Sequence, residues 1–282
     1  MQPLSVVGSG AVETVRSLVP RLDGRVAAVR GTESGPDTGI ADGGVAAHEP
    51  AADLDADTTI ELGADGSWTG GGADRSFTDL LEALAPTHDY VLAAGFSRLR
   101  VPTVVLTGED GTAVDPADVA GEVVATAATP AELDLDGIVA DLAGFEPYVT
   151  LEELVREAKA SPMAERSGAI ATFTGRVRMK DAPDDDPTEQ LVFEKYEGVA
   201  EERMDEIAAE LESREGIFEV LMHHRTGVIE AGEDIVFVVV LAGHRKQAFR
   251  AVEDGIDLLK EDVPIFKKES TESEEFWVHQ RK

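Results

Sequence analysis

Ile235 to Leu241 reads Ile-Val-Phe-Val-Val-Val-Leu, an unbroken apolar run. It is too short to cross a membrane as a helix, and it shows no alternation of polar and apolar positions. The expectation is a central β-strand covered on both faces. The rest of the fold must supply those two covers. The stretch that follows supplies one. Ala248, Val252, Ile256 and Leu259 recur at spacings of four, four and three, the inward stripe of a helix that opens near His244. Pro264 disfavours helical backbone at Val263, so the helix is predicted to end near Asp262, with Ile265-Phe266 extended beyond it.

The same stretch concentrates positive charge in an acidic chain. Among 282 residues, 56 are Asp or Glu and 25 are Lys or Arg, a formal net charge of −31. Yet His244 and Arg245 open the helix, Lys260 lies in its last turn, and Lys267 and Lys268 follow Pro264. A helix N-terminus favours anions through its free N–H groups and macrodipole. Upstream, Gly168 to Val177 has the alternating character of a strand. Period two puts Arg176 and Arg178 on one side of its end. Arginine suits bidentate phosphate binding, so Arg178 and Arg245 are the phosphate candidates. A positioned amine can act as acid, base or transient acyl acceptor, so Lys260 and Lys267 are the catalytic candidates. The bland alternatives are a Lys260 that only complements the helix dipole and a Lys268 that is a solvated surface charge. His223-His224 reads as a strand-end pair, and no Cys/His cluster surrounds His244, so no metal and no cofactor are expected.

Sixteen residues separate His244 from Lys260. At 1.5 Å per residue that is about 24 Å, too far for one small pocket in a single subunit. Either two ligand groups are bridged, or a symmetric homodimer brings His244 and Arg245 of one subunit to the lysines of the other. The dimer is the preferred arrangement.

Around this centre the second half reads as mixed α and β. Thr150 is a candidate N-cap with Glu153 closing a capping box, ahead of a stripe of Leu151, Leu154, Val155 and Ala158. Residues 179 to 190 form an acidic, Pro-interrupted loop expected to be mobile, and Leu191 to Tyr196 is the return strand. Residues 199 to 214 form a helix with Val199, Met204, Ile207, Ala208 and Leu211 inward, followed by a strand from Phe218 to His223.

The first half begins differently. Strand Leu4–Val7, Gly8-Ser9-Gly10, a helix with Val12, Val15, Leu18 and Val19, and strand Val26–Val29 make the start of a βαβ unit. Residues 31 to 47 look like a loop, Thr58 to Leu62 like a strand and Gly66 to Gly72 like a turn. A short helix over Phe77–Leu84 and strands Tyr90–Ala94 and Thr103–Leu106 complete a small parallel sheet. Residues 107 to 150 read as the domain end and a linker, with a short helix near Asp134 to Leu142. The expected domains are 1–147 and 148–282.

Composition bounds the partners. The charge argues against nucleic acid and against an anionic membrane surface. So large an acidic excess suits high salt, where the Debye length falls to roughly 3 Å at 1 M and self-repulsion is screened. The chain has no cysteine, which removes thiol chemistry of its own. It shows no basic hydrophobic leader, and a cytoplasmic location is expected.

Residues 150 to 282 resemble the large, catalytic subunit of molybdopterin synthase. The resemblance runs through Gly168-Ala169-Ile170, Gly175-Arg176-Val177-Arg178, Glu194 and Tyr196, His224-Arg225-x-Gly227 and Gly232-Glu233. It continues through His244-Arg245, Ala248-Phe249, Leu259-Lys260, Pro264, Lys267-x-Glu269 and Trp277-Val278. It implies an α+β fold, a homodimer, and a small ubiquitin-like sulfur-carrier subunit bound at each end. The carrier's C-terminal thiocarboxylate would deliver two sulfurs in turn to cyclic pyranopterin monophosphate, forming the dithiolene. The implied site comprises Arg176, Val177, Arg178, His244, Arg245, Lys260, Lys267, Lys268 and Glu269. Lys260 and Lys267 are catalytic, and Glu269 orients Lys267 or binds substrate.

The first half is similar in order to the P-loop family that assists guanine dinucleotide attachment to molybdopterin. In Asp89-Tyr90-Val91-Leu92-Ala93-Ala94-Gly95-Phe96, Ala94 stands where that family has an acid. No Lys precedes Lys159, so the phosphate loop lacks its cation, and Ala11 or Glu13 stands in its place. The implied domain is a degenerate α/β nucleotide fold without hydrolysis. Two other functions compete: a non-catalytic docking module for a ubiquitin-like protein, and a nucleotide-dependent accessory factor.

Overall fold

The computed structural model describes residues 1–31, 58–65, 67–72, 75–108, 114–180, 182, 186–196, 198–271 and 275–278. The chain divides into two compact units, Met1–Tyr148 and Val149–Lys282.

The first unit runs β1 (Gln2–Gly8), α1 (Ala11–Leu18), β2 (Val26–Arg30), β3 (Thr58–Leu62), β4 (Trp68–Gly72), α2 (Phe77–Leu84), β5 (Tyr90–Ala94), β6 (Thr103–Leu106), β7 (Val123–Ala127) and α3 (Leu135–Leu142). β2, β5, β1, β6 and β7 lie side by side in that order, all parallel. Parallel strands need both faces covered. Leu4, Val6, Leu92, Val104 and Leu106 pack with Val15 and Leu18 of α1 and Ile138 and Leu142 of α3. Val91 packs on the opposite side with Leu81 of α2 and Ala85.

Three expectations for this unit need correction. The buried face of α1 is Ala11, Thr14, Val15 and Leu18, whereas Val12 and Val19 point outward. Positions 11, 14, 15 and 18 form one stripe, position 12 lies about a quarter-turn to its side, and Val19 already belongs to the short 3-10 turn Val19–Arg21. Trp68 to Gly72 is not a turn but the return strand of a hairpin, Leu62 opposite Trp68 and Thr58 opposite Gly72. Part of the supposed linker is β7, which pairs in parallel with β6 as the sheet's edge. The loop expected over 31–47 lies, past Gly31, outside the described residues.

The second unit runs α4 (Leu151–Ala160), β8 (Ala169–Arg176), β9 (Thr188–Lys195), α5 (Val199–Glu212), β10 (Ile217–His224), β11 (Gly227–Glu230), β12 (Asp234–Ala242), α6 (Arg245–Asp262), β13 (Ile265–Thr271) and β14 (Glu275–Val278). It is α+β, with one sheet ordered β10-β12-β8 and another ordered β11-β9-β13-β14, all antiparallel. β12 is central, and its alternation serves two cores. Val236, Val238, Val240 and Ala242 meet α5 and α6. Phe237, Val239 and Leu241 meet Leu154 and Ala158 of α4. Each such side chain is worth roughly 1.5–3 kcal/mol when fully buried, which is why the apolar run is unbroken.

Thr150 caps α4 through Oγ1, which accepts from the Glu153 amide at 3.2 Å. Inside α6, Ala248, Val252, Ile256 and Leu259 are buried as their spacing required, joined by Ala251 and Gly255. Other details differ from the sequence reading. Thr188 already belongs to β9, so the acidic loop is shorter than 179–190. β9 does not return beside β8. It joins the other sheet, between β11 and β13. In α5 the inward residue of the first turn is Ala200, and Val199 is exposed.

Candidate active site

The strand register fixes where each candidate lies. β12 runs antiparallel to β8, Ala242 opposite Ala169 and Asp234 opposite Arg176. α6 leaves the Ala242 end and travels toward the Arg176 end. His244 and Arg245 therefore start the helix at one end of the sheet, and Lys260 finishes it at the other. Lys260 Nζ stands 5.9 Å from the centroid of the Phe173 ring on β8. Lys260 stands by the strand that leads into Arg176–Arg178, Lys267 is opposite Phe193, which packs with Val177, and the His244-Arg245 pair starts the helix at the other end.

Arg176 and Arg178 are exposed on either side of Val177, which is 2% exposed. Period two therefore holds through this segment, but the two arginines differ. The Arg176 Nε donates to the Gly232 carbonyl at 3.1 Å and lies 3.2 Å from an Asp234 carboxylate oxygen. Its guanidinium clamps the β11–β12 turn. Val177 gives its side chain to the core with Leu191, Phe193 and Ile229. Its N–H donates to Glu233 and its carbonyl accepts from Gly232, both at 2.9 Å. Arg178 follows as the outward guanidinium of the segment.

β13 separates the two adjacent lysines. Lys267 is opposite Phe193 of β9 and Val278 of β14, while Lys268 is opposite Val192 and Trp277. Directly opposed residues share a face. Lys267 thus shares the inner face with Phe193, which is buried, and Lys268 looks the other way. Glu269 has its backbone in β13 opposite Leu191 and Phe276. Its side chain lies outside the described residues.

At the far end, His244 is the N-cap of α6 with extended backbone (φ −141, ψ 149) and no side-chain cap bond. Its carbonyl accepts from the Gln247 and Ala248 amides at 3.0 and 3.2 Å. The first turn carries no acid, and His244, Arg245 and Lys246 are all exposed. This is an anion-attracting helix start.

Sequence reasoning missed a buried polar group behind Phe193. The His224 ring meets Phe193 edge-on at 4.9 Å, and its Nδ1 lies 2.8 Å from the Arg225 carbonyl, to which it donates as the protonated nitrogen. Burial, with a smaller contribution from the Lys195 charge, pushes His224 down to about 4. Burial and the same lysine push His223 down to about 3. Both imidazoles are neutral near pH 7 and add no cation to the site. Lys195 Nζ pairs with Glu201 at 2.6 Å, its side chain only 13% exposed. Burial by itself would raise the Glu201 carboxyl, but the Lys195 hydrogen bond and backbone amides hold it below its ordinary value. Among the described residues no group of three or more His, Cys, Asp or Glu side chains is placed to hold a metal ion. Among them, too, no helix is long and apolar enough to cross a membrane.

Residues 148–262 match the family described as MoaE protein. Over 281 residues, 100% of both chains, the sequence is 52% identical to a probable molybdopterin synthase of Haloferax volcanii. The chain belongs to the molybdopterin synthase family. A molybdopterin synthase catalytic subunit of Pyrococcus abyssi is 37% identical over 124 residues, 44% of this chain and 82% of that one. The crystal structure of molybdopterin synthase from Staphylococcus aureus is similar at 32% identity, over 48% of this chain and 94% of that chain, with a TM-score of 0.42. As a member of the molybdopterin synthase family, the chain is an enzyme of molybdenum cofactor biosynthesis. The matched range holds Arg176 to Lys260 and ends before Lys267, Lys268 and Glu269. The Haloferax relative extends through both units.

Proposed function

We propose that the second unit transfers sulfur from the C-terminal thiocarboxylate of a small ubiquitin-like carrier to cyclic pyranopterin monophosphate, forming the dithiolene of molybdopterin. What supports this reading is Lys260 beside Phe173, on the strand that leads to Arg178, and Lys267 opposite Phe193 on the inner face of its sheet. Thiocarboxylate and phosphate are both anions, so a cationic site suits the pair. The chain has no cysteine, and in this chemistry the sulfur arrives on the partner.

In this scheme Arg178 holds the pterin phosphate as a bidentate donor. Lys267 moves the proton at the reacting centre, and Lys260 contacts the acyl terminus of the carrier. Arg176 supports the segment from which Arg178 projects, through its bonds to Gly232 and Asp234. His244 and Arg245 act across a homodimer, since their own subunit holds them at the far end of α6. Lys268 and Glu269 lie on the same strand as Lys267 and border the substrate. The reaction is a cytoplasmic one, and the acidic surface suits it to high salt.

The test mixes the full chain with a thiocarboxylated carrier and cyclic pyranopterin monophosphate in molar salt and assays dithiolene. Product should form and should vanish with Lys267→Ala. A folded protein that makes no product under saturating carrier would overturn the reading.

A further inference from the structure

Lys267 shares its face with a second lysine. Lys195 ends β9 opposite Ile265, two residues from the Phe193 that stands opposite Lys267. Residues two apart on a strand share a face, and diagonal neighbours across two strands lie roughly 7–8 Å apart. Lys195 and Lys267 are therefore diagonal neighbours on the inner face of one sheet. The Lys195 side chain is only 13% exposed. Its charge reaches the rings behind Phe193, where it adds to the effect of burial in holding both His223 and His224 down.

A cation so far from water needs a counter-charge. Glu201, in the first turn of α5, supplies it. Its Oε1 lies 2.6 Å from Lys195 Nζ, and its Oε2 accepts from the Gly198 amide at 2.8 Å. The bond to Gly198 is the one a capping box makes, and a neutral glutamine makes it as well as a glutamate does. The negative charge of Glu201 is thus not what the cap requires. It serves Lys195.

Such a pairing matters in this chain. With 56 acidic residues against 25 basic ones, carboxylates compete for every ammonium. We propose that Lys195 is a positioning residue for Lys267, which occupies the Glu201 carboxylate and so keeps it from drawing the Lys267 ammonium away from the reacting centre. Lys195 itself need not touch substrate. Its own charge, on the same face, also repels the Lys267 ammonium from the α5 side of the sheet.

This inference rests on the catalytic role given to Lys267 above, and the test separates the two. Full-chain variants are assayed for dithiolene in molar salt, with thermal stability followed alongside. Lys195→Met keeps the apolar stem, removes the charge and leaves Glu201 to attract Lys267. Its kcat is expected to fall by about ten- to a hundred-fold, less than outright removal of an acid or base, with the KM for carrier little changed. Lys195→Arg keeps the pair and should retain most of the rate. Glu201→Gln keeps the bond to the Gly198 amide and should cost less than about threefold. The double variant, Lys195→Met with Glu201→Gln, should recover to within about threefold of the parent. A merely structural tie between β9 and α5 cannot give that recovery, because the double variant lacks the tie as completely as Lys195→Met does. A double variant as slow as Lys195→Met, or a Lys195→Met protein as fast as the parent, overturns the positioning role. Should Lys195→Met fail to fold, Lys195→Gln takes its place in the same cycle. A Lys267→Ala protein that stays fully active overturns the catalytic reading instead.

Discussion

Each unit of this molecule sends a buried strand through a short turn into a helix, and the two turns do opposite things. In the first unit β1 passes through Ser9 and Gly10 into α1. Its first turn carries Glu13 and no basic residue. A Cβ at Gly10 would meet the Pro130 side chain at 2.5 Å, and one at Gly8 would meet the Leu106 carbonyl. Gly8 and Gly10 have positive φ, 97° and 94°, and a side chain at either would collide with Leu106 or Pro130, so the turn depends on them. In the second unit β12 passes through Gly243 and His244 into α6, where three basic residues are exposed and no acid stands in the first turn. The backbone device is shared. The side chains decide whether it attracts an anion or turns one away.

The sharpest way to break that contrast is Lys267→Ala. Removing a positioned acid or base costs about 10²- to 10⁴-fold in rate. Carrier binding should stay largely intact, because one side chain is a small part of a broad interface. Lys267→Arg keeps the charge and removes the amine. Near-full activity in that variant would make Lys267 an electrostatic anchor only.

Much of this was legible beforehand, for a physical reason. α6 and β12 carry dense, periodic burial, so their residues announce both element and face. Where burial is thin the pattern misleads. β4 is rich in glycine and exposed, and it read as a turn. β7 is a short edge strand among prolines and acids, and it read as linker. Side-chain partners across the chain left no local trace at all. Nothing around Arg176 signals that Gly232 and Asp234 occupy it, and nothing near Phe173 signals Lys260, 87 residues away. The separation of Lys267 from Lys268 needed only the strand period, once β13 was known to be a strand.

The second largest effect concerns stability. The histidines shifted by burial, His223 and His224, both belong to the second unit. Unfolded, each returns to an ordinary value near 6.5, so below that pH the unfolded chain binds protons that the folded unit refuses. Stability is therefore full above about pH 6.5 and declines as pH falls toward 4, by on the order of 3 kcal/mol for His224 alone. Urea unfolding of residues 148–282 at fixed molar salt should show this slope. His224→Phe, which keeps a ring against Phe193, should flatten it. A slope unchanged by that substitution would assign the acid sensitivity to other groups.

A smaller effect distinguishes the two arginines. Loss of a charged hydrogen bond to phosphate costs about 1.5–3 kcal/mol, so Arg178→Ala should raise the pterin KM by about ten- to a hundred-fold with a lesser change in kcat. Arg176→Ala should chiefly loosen the β11–β12 turn and lower the thermal midpoint. If the two variants exchange behaviours, the phosphate contact belongs to Arg176.

The smallest effect should come from the largest deletion. The first unit's apolar clusters are built from Met1 to Tyr148, and the second unit's from Val149 onward, with no member in common. Every candidate cation lies in the second unit. The first contains no lysine, and the first turn of α1 carries Glu13 and no basic residue. Residues 148–282 alone should therefore retain kcat/KM for sulfur transfer to within about twofold. The full chain should show no Mg²⁺-dependent GTP turnover, since phosphate binding at such a loop needs a cation in the lysine position, and no lysine precedes Lys159. Turnover lost on mutation within Gly8 to Thr14 would show that the loop acts on nucleotide without a lysine. A fragment that is soluble and folded, yet silent under saturating carrier, would show that the first unit takes part in the reaction.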